Sequence, residues 1–256
     1  MSENLIYTRI IASGNLIEEF TYEYPIVCKK TSHGGRKHFH EQASTKEEEH
    51  RKVSVKRAVT RLKRLLSANF RAKYNFITLT FSDDCSINVQ NLQECKKEFD
   101  KFKKRVCRFL TKNGHNSNFK YIGVTEFQDA HNREAIHFHL VTDLPFIPQE
   151  KLQALWQNGG VWVKNCRSSV STNHKISHYL SKGILDSRLN GHQRYMRSHN
   201  LVEPKVLYGR EAEEFLAQTG IKNSQPEHSE CYINNYQGKT VYRAYFIPNK
   251  IRRSQQ

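Results

Sequence analysis

Two histidines, a glutamate and a tyrosine–lysine pair are the residues whose types and spacing could do chemistry in this chain. The segment Glu134-Ala-Ile-His-Phe-His-Leu-Val141 alternates in the manner of a strand. On a strand, residues two apart share a face, so His137 and His139 project together while Ile136, Phe138 and Leu140 project the other way. Three large apolar side chains make their side the core. The two imidazoles are left on the open side, spaced to hold one divalent ion.

A third ligand is expected from the neighbouring strand. Glu126, within Gly123-Val-Thr-Glu-Phe127, is the candidate. A hairpin turning about His131 and Asn132 sets Glu126 opposite His137, and a one-residue change of register sets it opposite His139. Opposed residues have Cβ atoms only ~5 Å apart, so either register lets one ion reach all three groups. Two histidines and one carboxylate with open positions suit Mn2+, Mg2+ or a similar Lewis acid. The same triplet recurs as His38-Phe39-His40, but its neighbours Arg36, Lys37, Glu41 and Gln42 offer no core-facing side, and it reads as surface or loop.

Tyr179 and Lys182 lie three apart in a stretch with helical spacing of apolar residues (Ile176, Leu180, Ile184), and so share a helix face. A phenol, with an ordinary pKa near ~10, is a poor nucleophile at neutral pH. It becomes useful where a metal polarises a phosphodiester and a cation such as Lys182 steadies the developing charge.

The elements that must position these groups follow from periodicity. Tyr74 to Phe81 reads as a buried strand, 90–112 as a basic amphipathic helix, Phe119 to Gln128 and Ala135 to Thr142 as strands joined by a hairpin. Pro148 to Gln157 reads as a helix, Gly160 to Cys166 as a strand and Thr172 to Leu185 as a helix. This β-α-β-β-α-β-α order predicts an α+β fold, an antiparallel ferredoxin-like (split βαβ) sheet with helices on one face, plus N- and C-terminal extensions. Upstream, Ser44 and Glu47 make a capping box for a helix carrying Lys52, Lys56, Arg57, Arg61, Lys63 and Arg64 on its polar face. Phe20 to Val27 suggests a strand, 210–218 a helix, and 232–247 strands around a Gln237-Gly238 turn. The chain therefore divides into an N-terminal extension with a basic helix (1–73), a catalytic core (74–187) and a C-terminal extension packed on or continuing it (188–256).

With 41 Lys and Arg against 25 Asp and Glu among 256 residues, the formal net charge is +16. Such an excess is the footprint of a polyanion partner, since neutralised phosphates release their counterions. The six cysteines (Cys28, Cys85, Cys95, Cys107, Cys166, Cys231) form no CxxC and no regular spacing, which excludes a zinc ribbon and a disulfide scaffold. The sequence has no apolar run approaching the ~20 residues of a membrane span, and its polar N-terminus does not read as a signal peptide. A cytoplasmic protein without membrane contact is the expectation. No Walker loop is present.

The ordered motifs Phe76-Ile-Thr-Leu-Thr-Phe81, His137-Phe-His139 and Tyr179-Leu-Ser-Lys182 resemble those of the HUH endonuclease superfamily, in particular the rolling-circle replication initiators of plasmids and small phages. The resemblance covers about residues 74–185. It implies a site-specific, metal-dependent nickase in which Tyr179 attacks a scissile phosphate in single-stranded or hairpin-extruded origin DNA. A 5′-phosphotyrosine would form, and a 3′-hydroxyl would be released to a host polymerase working with a host helicase. In that family His137, His139 and Glu126 correspond to the metal site. Some initiators carry a second tyrosine about one helical turn after the first. Lys182 and Gly183 stand there in this chain, which reads as a single-tyrosine enzyme. Two other readings remain: a single-tyrosine HUH transposase, and a non-catalytic nucleic-acid-binding protein. The sequence leaves the oligomeric state open.

Overall fold

The computed structural model describes residues 5–27, 44–128 and 134–247. The His38-Phe39-His40 triplet, the turn at His131–Asn132 and the capping side chains of Ser44 and Glu47 lie outside what it describes. The chain divides into two compact units, Ser54–Val202 and a second made of Met1–Val53 with Glu203–Gln256.

In the Ser54–Val202 unit the strands are β3 (Lys73–Thr80), β4 (Tyr121–Gln128), β5 (Ala135–Thr142), β6 (Val161–Arg167) and the two-residue β7 (Met196–Arg197). They form one sheet in the order β6-β3-β5-β4-β7, with every pairing antiparallel. The helices α2 (Leu92–Lys112) and α3 (Gln149–Trp156) follow β3 and β5, so β3-α2-β4 and β5-α3-β6 are the two interleaved halves of a split βαβ sheet. The expected α+β ferredoxin-like arrangement is present, with β7 added at the edge.

α2 begins where Asn91 accepts hydrogen bonds from the backbone N–H groups of Gln93 and Glu94. Its buried stripe, Leu92, Cys95, Phe99, Phe102, Val106 and Leu110, packs with Ile77, Leu79, Ile136, Phe138 and Leu140 of the sheet and with Leu152 and Trp156 of α3. Burying each such large side chain contributes about 1.5–3 kcal/mol, so this layer is the main core. The expected helices on one face are α2 and α3. The opposite face is partly covered as well: Leu62, Leu65 and Leu66 of α1 (Ser44–Asn69) and Leu180 and Ile184 of α4 (Val170–Leu185) pack with Ile122, Val124 and Val141. The physical reason is strand alternation, since Val124 and Val141 are apolar residues on the side away from α2 and need their own cover. What α1 and α4 leave uncovered holds the histidines.

The second unit is also a five-stranded antiparallel sheet, ordered β8-β1-β2-β10-β9. Its members are β1 (Leu5–Ser13), β2 (Leu16–Val27), β8 (Lys205–Tyr208), β9 (His228–Asn234) and β10 (Gly238–Phe246). Helix α5 (Gly209–Thr219) supplies Ala212 and Leu216 to a core with Ile10, Ile17, Leu207 and Tyr245. The sequence reading set 1–73 and 188–256 apart as two extensions. In the structure β2, from one end of the chain, pairs with β10, from the other, over Thr240↔Tyr22 to Phe246↔Leu16.

Candidate active site

Strand register builds the site. In β4 and β5 Glu126 pairs with His137 and Val124 with His139, one of the two registers the sequence left open. Across the other edge of β5, Thr78 pairs with His139 and Thr80 with His137. Trp162 of β6 pairs with Thr78. Thr78, Thr80, Glu126, His137, His139 and Trp162 therefore share one face, and with Tyr179 they line an open cavity of about 530 Å³. Ile136, Phe138 and Leu140 point into the main core on the other face, as alternation requires.

His139 is the best-fixed member. It is 3% exposed. Its Nδ1 lies 3.0 Å from Thr78 Oγ1, and its Nε2 hydrogen-bonds Glu126 Oε2. Phe76 stacks on the imidazole with ring centroids 5.8 Å apart and 17° between planes, and meets Tyr179 edge-on at 5.6 Å. The bond to His139 is the chief reason that the Glu126 carboxyl titrates below its ordinary value, although burial opposes this. An ionised Glu126 only accepts hydrogen bonds. In a neutral His139 ring the proton therefore sits on Nε2, and Nδ1 accepts from the Thr78 hydroxyl.

α4 delivers the tyrosine from above the sheet. Ser169 caps its N-terminus, accepting from Thr172 N–H, and Leu180 and Ile184 anchor its buried side. At its other end Arg194 donates from one guanidinium nitrogen to the carbonyls of Ile184 and Asp186, satisfying acceptors that a helix C-terminus leaves open. Tyr179 Oη donates to Glu126 Oε2 at 3.2 Å and lies 3.3 Å from His139 Nε2. Burial, followed by the charge of Glu126 and its hydrogen bond, pushes the phenol up to about 12.

The structure thus brings His139, Glu126 and Tyr179 into mutual contact and sets His137 on the same cavity wall. Lys182 is exposed on α4 one turn further on and does not line the cavity. Gly183 has a steric reason to be glycine: a Cβ there would stand 2.6 Å from the Thr125 carbonyl oxygen and 3.1 Å from a Val124 methyl. No tyrosine fits at that position with α4 packed as it is. Two neighbours of the site carry no role in the sequence analysis: Phe76, quoted there only within the first motif, and Trp162. Phe76 shares the strand parity of Thr78 and was legible by alternation. Trp162 needed the pairing of β6 with β3, which no local signal gives.

Among the described residues no group of three or more His, Cys, Asp and Glu side chains stands ready-made for a metal ion. The converged donors are Glu126 and His139, hydrogen-bonded to each other, with His137 opposite Glu126 across the strands. Two imidazoles and one carboxylate on an open cavity are a donor set with the chemistry to hold a divalent metal ion. Among the described residues no helix is long and apolar enough to cross a membrane.

Comparison with known proteins bears on the same stretch. No curated protein matches the chain. The structure is similar to the crystal structure of the hypothetical protein ORF119 from Sulfolobus islandicus rod-shaped virus 1 at a TM-score of 0.30 and 12% identity, over 52% of this chain and 96% of that one. Residues 74–184, which run from β3 through Tyr179 and include every residue lining the cavity, match the family model described as replication-associated protein ORF2, and this supports a replication-initiator family.

Proposed function

We propose that the chain is a metal-dependent DNA nickase that initiates rolling-circle replication, with Tyr179 as nucleophile. The observation that carries this reading is the placement of Tyr179 Oη within hydrogen-bond distance of both Glu126 and His139, on the wall of an open cavity. The match of this stretch to replication-associated proteins and the net charge of +16 support it further. DNA is the substrate, and cations along the chain supply much of its affinity.

His137, His139 and Glu126 would hold the divalent ion, Mn2+ or Mg2+. When bound, that ion supplies Lewis-acid polarisation of the scissile phosphate. Thr78, 3.0 Å from His139 Nδ1, would hold the ring's orientation while the imidazole serves as a ligand. A cation held by these residues would offset the charge of Glu126, one of the causes that raise the Tyr179 pKa. The Tyr179 oxygen attacks phosphorus as the P–O3′ bond breaks. The phenol gives up its proton to a nearby acceptor, and the 3′-oxygen leaves as a hydroxyl after taking a proton. The 5′-phosphate stays on Tyr179, and the free 3′-hydroxyl serves a host polymerase, with a host helicase opening the duplex. Lys182, exposed one turn along α4, would meet the phosphate chain beside the site.

The test uses single-stranded DNA from the region flanking the chain's own gene, 3′-labelled and incubated with Mn2+. A labelled covalent adduct on a denaturing gel is expected with wild type and not with Tyr179→Phe. An adduct that persists in Tyr179→Phe, or one absent from wild type across that region, overturns the reading.

A further inference from the structure

We infer that the indole of Trp162 is a base-stacking subsite for single-stranded DNA, seating a nucleobase beside the phosphate that faces Tyr179. The inference rests on the nickase reading for the identity of that phosphate, but its own evidence is separate.

The chain has two tryptophans, and the structure treats them oppositely. Trp156 is fully buried, and its Nε1 donates to the Thr80 carbonyl at 2.7 Å. Trp162 is 55% exposed, on the edge strand β6, and lines the cavity with His137, His139 and Tyr179. A large aromatic held half in water forgoes much of the stabilisation that burial would give it.

The ring also lies close against the backbone of Gly160. A Cβ on Gly160 would stand 2.5 Å and 2.6 Å from Cη2 and Cζ3 of the indole, so the missing side chain at 160 is what lets the ring lie against the backbone there. Gly160 is itself fixed, its N–H donating to Thr80 Oγ1 at 3.2 Å. One face of the ring is set against Gly160, and the exposed remainder of the indole is open to a flat ligand.

Placement gives the ligand class. Trp162 is opposite Thr78, and Thr78 is opposite His139 on the next strand. Two strand spacings separate indole from histidine, ~10 Å, the reach of a nucleotide adjoining the one under attack. Lys164, two residues on and exposed on the same face of β6, is a cation for the intervening backbone. Aromatic faces accept any unstacked base, so the subsite selects single strands without selecting sequence. In a duplex the bases stack on one another and are not offered.

The experiment is done in a Tyr179→Phe background without divalent ions, so that neither covalent capture nor metal contributes. Fluorescence anisotropy of a labelled mixed-sequence oligonucleotide is compared with that of its duplex. Trp162→Ala is expected to weaken single-strand binding roughly 5- to 150-fold, the range found for removing one base–aromatic stack. Duplex binding should stay unchanged, and Trp162→Phe should recover most of the loss. Equal losses for single strand and duplex, or no loss for either, or no recovery with Phe, overturns the subsite and leaves Trp162 as an ordinary surface aromatic. The two readings fail separately. A tyrosyl adduct in wild type alongside unimpaired binding by Trp162→Ala removes only the subsite. Selective single-strand loss in a protein that never forms an adduct removes only the nickase.

Discussion

Tyr179 donates its hydroxyl proton to Glu126 at 3.2 Å, so the candidate nucleophile is held by the carboxylate that opposes its ionisation. The phenol is pushed up to about 12, first by burial, then by the charge of Glu126 and the hydrogen bond to it. Moving the Glu126 carboxylate away from the phenol removes the second and third of these causes and leaves burial, the largest.

Glu126→Gln removes the charge and keeps the shape. The Tyr179 pKa is expected to fall from about 12 but to stay above the ordinary ~10, because burial remains the largest cause. The ultraviolet difference titration of Glu126→Gln against Glu126→Gln/Tyr179→Phe reads this pKa directly. An unchanged value would show that the carboxylate does not act on the phenol. The sign for stability follows. The folded chain holds the Tyr179 proton more tightly than the unfolded chain, so its contribution is intact below pH ~10 and is lost as pH rises towards about 12. Thermal melts of Tyr179→Phe should therefore decline less steeply than wild type across that window.

Thr78, on the neighbouring strand, lies within hydrogen-bond distance of His139 Nδ1. Thr78→Val deletes the partner of Nδ1, 3.0 Å away, at nearly constant volume. Calorimetric titration with Mn2+ should show affinity reduced about 10- to 100-fold, the usual effect of removing the second partner of a ligating histidine. Binding as tight as wild type would mean that Phe76 stacking alone fixes the ring, or that His139 is not a ligand.

Much of this site was legible because alternation is a local property. His137 and His139 had to share a face once Ile136, Phe138 and Leu140 were assigned to the core, and the Glu126↔His137 pairing is one of the two registers the sequence left open. Tyr179 was legible as a helix residue through Ile176, Leu180 and Ile184. Which face of the sheet its helix would cover was not, since that depends on Val124 and Val141 needing cover from the far side. The pairing of β2 with β10 was invisible for a similar reason. Residues such as Glu19 and Arg243 meet across more than two hundred positions of sequence, and nothing in either strand names its partner.

Salt dependence distinguishes the two basic helices. α1 packs on the histidine face of the sheet, and α2 packs on the opposite face. Lys56, Arg57 and Lys63 of α1 and Lys97, Lys104 and Arg108 of α2 are all exposed. DNA lying over the cavity should reach the first set and not the second. Changing the α1 trio to Gln is then expected to reduce the slope of log K against log salt by roughly 0.7 for each single-strand phosphate contact removed. The α2 trio should leave it unaltered. The reverse pattern would put the DNA on the far face, away from Tyr179.

At Gly183, one turn after the tyrosine, α4 lies close against β4, and this makes a direct test of positioning. A methyl at 183 must meet the Thr125 carbonyl at 2.6 Å, and backbone on that side has little room to retreat because β4 is paired on both edges. α4 has to lift, and Tyr179, one turn earlier, lifts with it. Gly183→Ala should cost about 1–3 kcal/mol of stability, as overpacking does. It should also slow adduct formation beyond what unfolding explains, because Tyr179 Oη leaves the 3.2 Å and 3.3 Å contacts that hold it over Glu126 and His139. Single-turnover rates at a temperature where the variant is fully folded separate the two effects. A folded Gly183→Ala that reacts at the wild-type rate would mean that the close approach of α4 to β4 is packing alone, and that the tyrosine reaches its phosphate from another position.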